Sequence, residues 1–265
     1  MPTVDRQDNQ LYYEDAGAGA AIVLGHSFLC SGTMWREQVP TLSRTHRVLN
    51  VDFRGHGRSG PIDRPFTIHD AVDDVVAVLD HAGIDSAVWC GLSIGGMVAL
   101  RAALTRPERV AALILMDTDA DADTTLRKLR YRAMGLGVRL AGIRRFLPAI
   151  ARLMFGTTTR RGNPALVDTW KTEAAEVHVP SVLRVLDALM RRDSVVERLG
   201  DIRVPALILV GAEDRSLPPK LSQRIHARLH DSRLAVIPEA GHLSALEQPA
   251  RVNAAVLAFL GGLAA

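Results

Sequence analysis

The 265-residue chain has only two cysteines, Cys30 and Cys90, and they lie in different segments. Their spacing defines no disulfide framework, so the expectation is two free thiols in a reducing compartment. No uninterrupted apolar run approaches the roughly 20 residues that a membrane-spanning helix needs. The first residues carry Asp5, Arg6 and Asp8 and lack the apolar core of a secretory signal peptide. A cytoplasmic protein without a transmembrane segment is therefore expected. The formal net charge is +3, with no block of like charges, so nucleic acid is not an expected partner. The nine histidines are scattered without an H-E-x-x-H or comparable ligand pair, so neither metal nor cofactor is expected. Internal repeats and low-complexity tracts are also missing.

What the chain does have is an apolar fraction of 48% and an ordinary charged fraction of 23%, enough for one large packed domain. Short apolar runs bounded by turn residues recur at 21–24, 47–52, 87–90, 112–116, 206–210 and 234–237. Helical patterns separate them, notably at 68–81 and 94–104. Such alternation implies crossover units and a mostly parallel sheet buried on both faces, with 11–14 as an antiparallel strand ahead of the series.

The rhythm breaks between about Ala120 and Val195, where the pattern is helical and punctuated by Gly135, Gly142, Pro148 and Pro164. The fold class expected is therefore α/β, with a core formed by 1–119 and 196–265 and a helical cap, 120–195, inserted in it. That insertion carries fourteen Lys/Arg against seven Asp/Glu. A solvated outer face accounts for such an excess; attraction of an anionic substrate or contact with a membrane surface would also use it.

The strongest local signal is Cys90-Gly91-Leu92-Ser93-Ile94-Gly95-Gly96, a Gly-x-Ser-x-Gly run between a strand pattern and a helix pattern. A serine hydroxyl is a weak nucleophile and needs exposure at a sharp turn where a base can reach it. Two further segments end strand patterns in titratable residues. One is Val210-Gly211-Ala212-Glu213-Asp214, in which Asp214 is the candidate acid and Glu213 its neighbouring competitor. Asp117 and Asp119, after the preceding strand, are further candidates. The other is Glu239-Ala240-Gly241-His242-Leu243, whose imidazole suits proton transfer near neutrality. Loops beyond the carboxyl ends of parallel strands are where such sheets place their sites. A fourth element, Gly25-His26-Ser27-Phe28, follows the strand expected beside the serine strand. The amides of Phe28 and Ile94 are candidate oxyanion donors. From the insertion, Met134, Trp170, His178 and Met190 are candidates for lining a substrate pocket, with helix packing as the alternative for each.

At these residues the chain resembles the α/β-hydrolase superfamily. The resemblance runs from Tyr12 to Leu260 and includes Asp52-Phe53-Arg54-Gly55-His56-Gly57-Arg58-Ser59 and Pro107-Glu108-Arg109-Val110. The order Ser93, Asp214, His242 is the triad order of that fold. Within the superfamily the chain is similar to 3-oxoadipate enol-lactonases and to cofactor-free haloperoxidase/perhydrolase esterases. It departs from many members by having Ser27 where they carry glycine after the loop histidine. The resemblance implies a serine hydrolase acting on a small-molecule ester or lactone through an acyl-enzyme. Perhydrolysis or carbon–carbon bond hydrolysis on the same triad is an alternative, as is a hydrolase-like small-molecule receptor without turnover. A dinucleotide-binding reading of Gly55-His56-Gly57-Arg58-Ser59-Gly60 fails on context. Pro61, Asp63 and Pro65 stand where a phosphate-binding helix would begin.

Overall fold

The computed structural model describes residues 2–6 and 9–263. Eight strands form one sheet: β1 (Thr3–Arg6), β2 (Asn9–Ala16), β3 (Ala21–Gly25), β4 (Arg47–Asp52), β5 (Ala87–Leu92), β6 (Val110–Met116), β7 (Ala206–Gly211) and β8 (Ser232–Ile237). Their spatial order is β1-β2-β4-β3-β5-β6-β7-β8. The strands from β4 to β8 are parallel, and β2 pairs antiparallel with β4 and β1. The expected mostly parallel sheet is thus present, with β1 as an extra edge strand.

Helices α1 (Val39–Leu42), α2 (Ile68–His81) and α3 (Ile94–Thr105) fall between strands of the first half. Five more, α4 (Thr125–Ala141), α5 (Leu147–Met154), α6 (Thr157–Gly162), α7 (Pro164–Ala175) and α8 (Val179–Arg191), lie between β6 and β7. The chain then continues through α9 (Pro219–His226), α10 (Ser244–Glu247) and α11 (Pro249–Leu263). The Val195 amide donates to the Ala120 carbonyl at 2.9 Å, so the run of helices leaves and rejoins the sheet layer at one place. Among the described residues no helix is long and apolar enough to cross a membrane.

Strand side chains alternate between two apolar layers. Val23, Trp89, Leu113, Leu115 and Ile208 join Val72, Val75, Val98 and Leu100 of α2 and α3 on one face. On the other face Ile22, Leu24, Cys90, Ile114 and Leu209 pack with Val252, Val256 and Phe259 of α11. Burial of both faces explains why the central strands read as continuous apolar runs. Helix α2 starts where it does because Thr67 and Asp70 form a reciprocal capping box, each side chain accepting from the other's backbone amide.

The topology also fixes where a site can form. From β3 the chain passes to β4 on one side, whereas β5 lies on the other side of β3. The crevice beyond the carboxyl ends of β3 and β5 is the switch point at which open α/β sheets bind ligands. Gly25 and Gly91 are partners across that point, the first followed directly by the His26–Phe28 loop and the second, after Leu92, by Ser93.

Candidate active site

Ser93 stands between β5 and α3 with φ 57° and ψ −111°, a positive-φ conformation that costs a non-glycine residue on the order of 1–3 kcal/mol. The surroundings hold it there. Its amide donates to the Met116 carbonyl at 2.8 Å, and its carbonyl accepts from Thr118 Oγ1 at 2.7 Å. The turn is possible only with glycine on both sides. A β-carbon on Gly91 would lie 2.1 Å from the Gly95 carbonyl carbon, and one on Gly95 would lie 2.1 Å from the Gly25 carbonyl oxygen. Leu29 and Asp117, after β3 and β6, also have positive φ, so backbone strain gathers at this end of the sheet.

His242 lies in the loop between β8 and α10, buried, with Nδ1 2.8 Å from Asp214 Oδ2. Asp214 is itself buried, and its Oδ1 accepts the amides of Ser216 and Leu217 at 2.8 and 2.9 Å. Burial opposes the imidazolium form of His242. The charge and hydrogen bond of Asp214, helped by Asp117 and Glu247, outweigh it and raise the pKa above 6.5. Glu247 was not foreseen from sequence. It accepts the amides of Gly241 and Leu243 on either side of His242, at 2.9 and 3.3 Å, and that of Gly156 at 2.8 Å. A glutamate five residues beyond a histidine carries no recognisable signal; only the closed loop makes it a brace.

The competing acids fall elsewhere. Glu213 turns away to bind the Thr158 amide at 2.9 Å and its hydroxyl at 2.5 Å, holding the first turn of α6. Asp117 is fully buried. It accepts the Gly211 amide at 2.7 Å and pairs with the Ser244 hydroxyl, tying the end of β6 to β7 and to the start of α10. Burial, then the negative charge of Asp214, raises its pKa well above the usual carboxylate range. Asp119 lies near Arg192, at 3.9 Å.

The loop after β3 is ordered by His26. The Phe53 amide donates to Nε2 at 2.9 Å, which leaves Nδ1 to donate to the Ser27 carbonyl at 2.8 Å. Burial lowers the pKa of His26 to about 4, so the ring is a neutral strut. The amides of Phe28 and Ile94 have no hydrogen-bond partner among the described residues.

Ser93, His242, Ser27 and Phe28 line one cleft of about 700 Å³, its open mouth included. Its lining is mostly apolar: Leu29, Met97 and Leu217 from the sheet end, Met134 from α4, Ile150, Leu153 and Met154 from α5, Leu186 and Leu189 from α8. Polar groups enter from Asp123, Arg127, Tyr131, Arg192 and Ser216. The two arginines are already held, since Arg192 binds Asp123 at 2.7 and 3.1 Å and Arg127 reaches the same carboxylate at 3.2 Å. Among the described residues no three His, Cys, Asp or Glu side chains converge as a metal-ligand set.

Of the four residues proposed for pocket lining, only Met134 borders this cleft. Trp170 is buried edge-on against Phe155, with ring centroids 5.6 Å apart. His178 binds Ser181 Oγ at 2.7 Å and borders a separate groove with Glu173 and Glu176. Met190 follows Leu189 on α8 and is turned about 100° away from it. Helical spacing alone does not say which face meets the site.

Comparison with known proteins agrees with this architecture. Residues 20–249 match the model of the alpha/beta hydrolase fold family. The putative carbamate hydrolase RutD of Azorhizobium caulinodans is 30% identical over 98% of this chain and 98% of its own. The 3-oxoadipate enol-lactonase 2 of Acinetobacter baylyi is 29% identical over 97% of this chain and 96% of its own. A thermophilic esterase of Thermogutta terrifontis superposes with a TM-score of 0.92 at 30% identity, covering 96% of this chain and 94% of that one. By sequence and by architecture the chain belongs to the alpha/beta hydrolase family.

Proposed function

We propose that the protein is a serine hydrolase that cleaves a carboxylic ester or lactone of a small molecule through an acyl-enzyme. The observation that carries this reading is the buried Asp214–His242 pair, 2.8 Å apart, on the cleft that the strained Ser93 also lines. In this reading Asp214 fixes the ring so that Nδ1 carries the proton and Nε2 is the free base. His242 Nε2 takes the Ser93 hydroxyl proton as Oγ attacks the carbonyl carbon. The unpartnered amides of Phe28 and Ile94 receive the developing oxyanion, a term worth about 10²–10³ in turnover per donor. His242 then protonates the leaving alcohol, or the ring oxygen of a lactone. Water deprotonated by the same nitrogen releases the acid and restores Ser93.

Residues 120–195 serve in this proposal as a cap on a core of 1–119 and 196–265, because α4, α5 and α8 supply much of the cleft wall. The leucine and methionine lining suits an apolar acyl group. Attack on a carbamate carbonyl, suggested by the relative's name, would use the same three groups. The apolar wall favours the ester or lactone reading.

Replacing Ser93 with alanine removes only the attacking oxygen. Hydrolysis of a soluble short-chain ester is expected to fall by several orders of magnitude, on the order of 10⁶ as for the serine of subtilisin. Stopped assays with purified, folded Ser93→Ala settle the matter, and a mutant keeping a tenth of the wild-type rate contradicts the assignment.

A further inference from the structure

Half of the exposed large apolar side chains among the described residues lie on α4: Leu126 (59% exposed), Leu129 (62%), Leu136 (59%) and Leu140 (78%). Scattered surface leucines need no explanation, but a contiguous row does. At about 100° per residue, these four and the exposed Ala133 fall in one stripe about 80° wide. The opposite side of the helix is already in use. Arg127, Tyr131 and Met134 face the cleft and Val138 is buried, so α4 cannot hide its leucines by rolling over.

Charge borders the stripe on both sides. Arg130 flanks one edge and Lys128, Arg132 and Arg139 the other, while α4 has no acidic residue. Arg145 follows in the next turn. Arg127 is paired with Asp123 and Arg144 with Glu176. Lys128, Arg130, Arg132, Arg139 and Arg145 make no ion pair among the described residues.

We propose that the outer face of α4 docks on an anionic phospholipid surface, the leucines entering the acyl boundary and the flanking cations meeting headgroup phosphates. An apolar stripe edged by unpaired arginine and lysine is the pattern of a helix lying in a membrane interface. The long cationic side chains can lie along the apolar boundary and keep their charge in water. A second copy of this chain fits less well. Two such helices face to face would oppose unpaired cations with no acid from either helix to neutralise them. The proposal uses no residue of the cleft wall and does not depend on the hydrolase reading.

Co-sedimentation of the full chain with vesicles tests it without any turnover assay. Wild-type protein is expected to bind phosphatidylcholine vesicles containing about 30 mol% phosphatidylglycerol in about 0.1 M salt, to bind pure phosphatidylcholine at least tenfold more weakly, and to be released by high salt. The double variant Leu129→Asn, Leu136→Asn should lose at least tenfold in binding. The triple variant Arg130→Gln, Arg132→Gln, Arg139→Gln should lose about a hundredfold, roughly fivefold per cation. All of these positions are solvent-facing, and unchanged circular dichroism and melting temperature show that the variants fold. Absence of wild-type binding to anionic vesicles overturns the proposal, as does binding by either variant that equals that of the wild type. A solution dimer that the leucine variant dissociates overturns it in favour of self-association.

Discussion

Three carboxylates crowd the ends of β6 and β7, and their surroundings give each a different task. Asp214 is tethered by two amides through one oxygen and offers the other to His242. Asp117 spends its oxygens on Gly211 and Ser244, and burial raises its pKa. Glu213 accepts from Thr158, which holds its pKa below the usual value. Under the proposed mechanism Asp214→Asn should lower turnover by about 10⁴, since an amide in that place can hold the wrong tautomer of the histidine. Glu213→Gln and Asp117→Asn should retain most activity. Steady-state rates of the three variants decide between the acids, and a larger loss in Glu213→Gln or Asp117→Asn would reassign the role. The pH profile gives a second readout. A base must be neutral, so kcat/KM is expected to fall as pH drops through the pKa of His242, giving an acid limb centred above 6.5. Removing the charge that raises this pKa, in Asp214→Asn, should move the limb to lower pH. A wild-type limb centred below 6.5 contradicts the assignment.

At the scale of the element, the turn between β5 and α3 depends on close backbone approach. The start of α3 is pressed against the end of β3, with no room for a β-carbon on Gly95 beside the Gly25 carbonyl. Gly95→Ala is therefore expected to cost about 3 kcal/mol or more, since backbone, not a pliable side chain, must move. Thermal denaturation measures this, and an unchanged melting temperature would mean that the turn is looser than described. The loop that carries His242 is held differently, by side chains: Glu247 gathers its amides, and Ser244 meets Asp117. The elements that present Ser93 and His242 are thus fixed by local crowding in one case and by buried hydrogen bonds in the other.

At the scale of the whole molecule, the helices between β6 and β7 divide their two surfaces between apolar cleft and basic exterior. The excess of positive charge in 120–195 does not enter the cleft unopposed, because Arg127 and Arg192 are both paired with Asp123. Apolar contact is then expected to set substrate preference. Met134→Trp should narrow the cleft and shift preference toward shorter acyl chains, whereas Leu153→Ala should favour longer ones. A change of about tenfold in relative kcat/KM per methylene is the scale expected for such a wall. A series of aryl esters of increasing chain length checks this, and an unchanged ranking in both variants would rule out the helices as the determinant.

Much of this was legible in the sequence because it depends on local pattern. Strands β3, β5, β6 and β7 announce themselves as apolar runs, since burial on both faces removes polar positions from them, whereas β4 carries Asn50 and Asp52 and the edge strand β8 keeps exposed positions. The antiparallel β2 and the start of α2 at Ile68 were equally readable. Gly-x-Ser-x-Gly declares a strand-to-helix turn, because only glycine fits beside the serine. What local pattern does not encode is which distant groups meet. Glu213 and Asp214 are adjacent in sequence, and only the path of the loop turns one to α6 and the other to His242. Trp170, His178 and Met190 have the composition of pocket residues, yet the rotation of their helices and the packing around them keep them out of the cleft. Glu247 and the Asp117–Ser244 pair gain their roles only when loops far apart in the chain close on one another. Periodicity and turn chemistry determined the elements and the order of the candidate site residues. Tertiary structure alone decided side-chain direction and partnership, because those follow from the docking of one element on another.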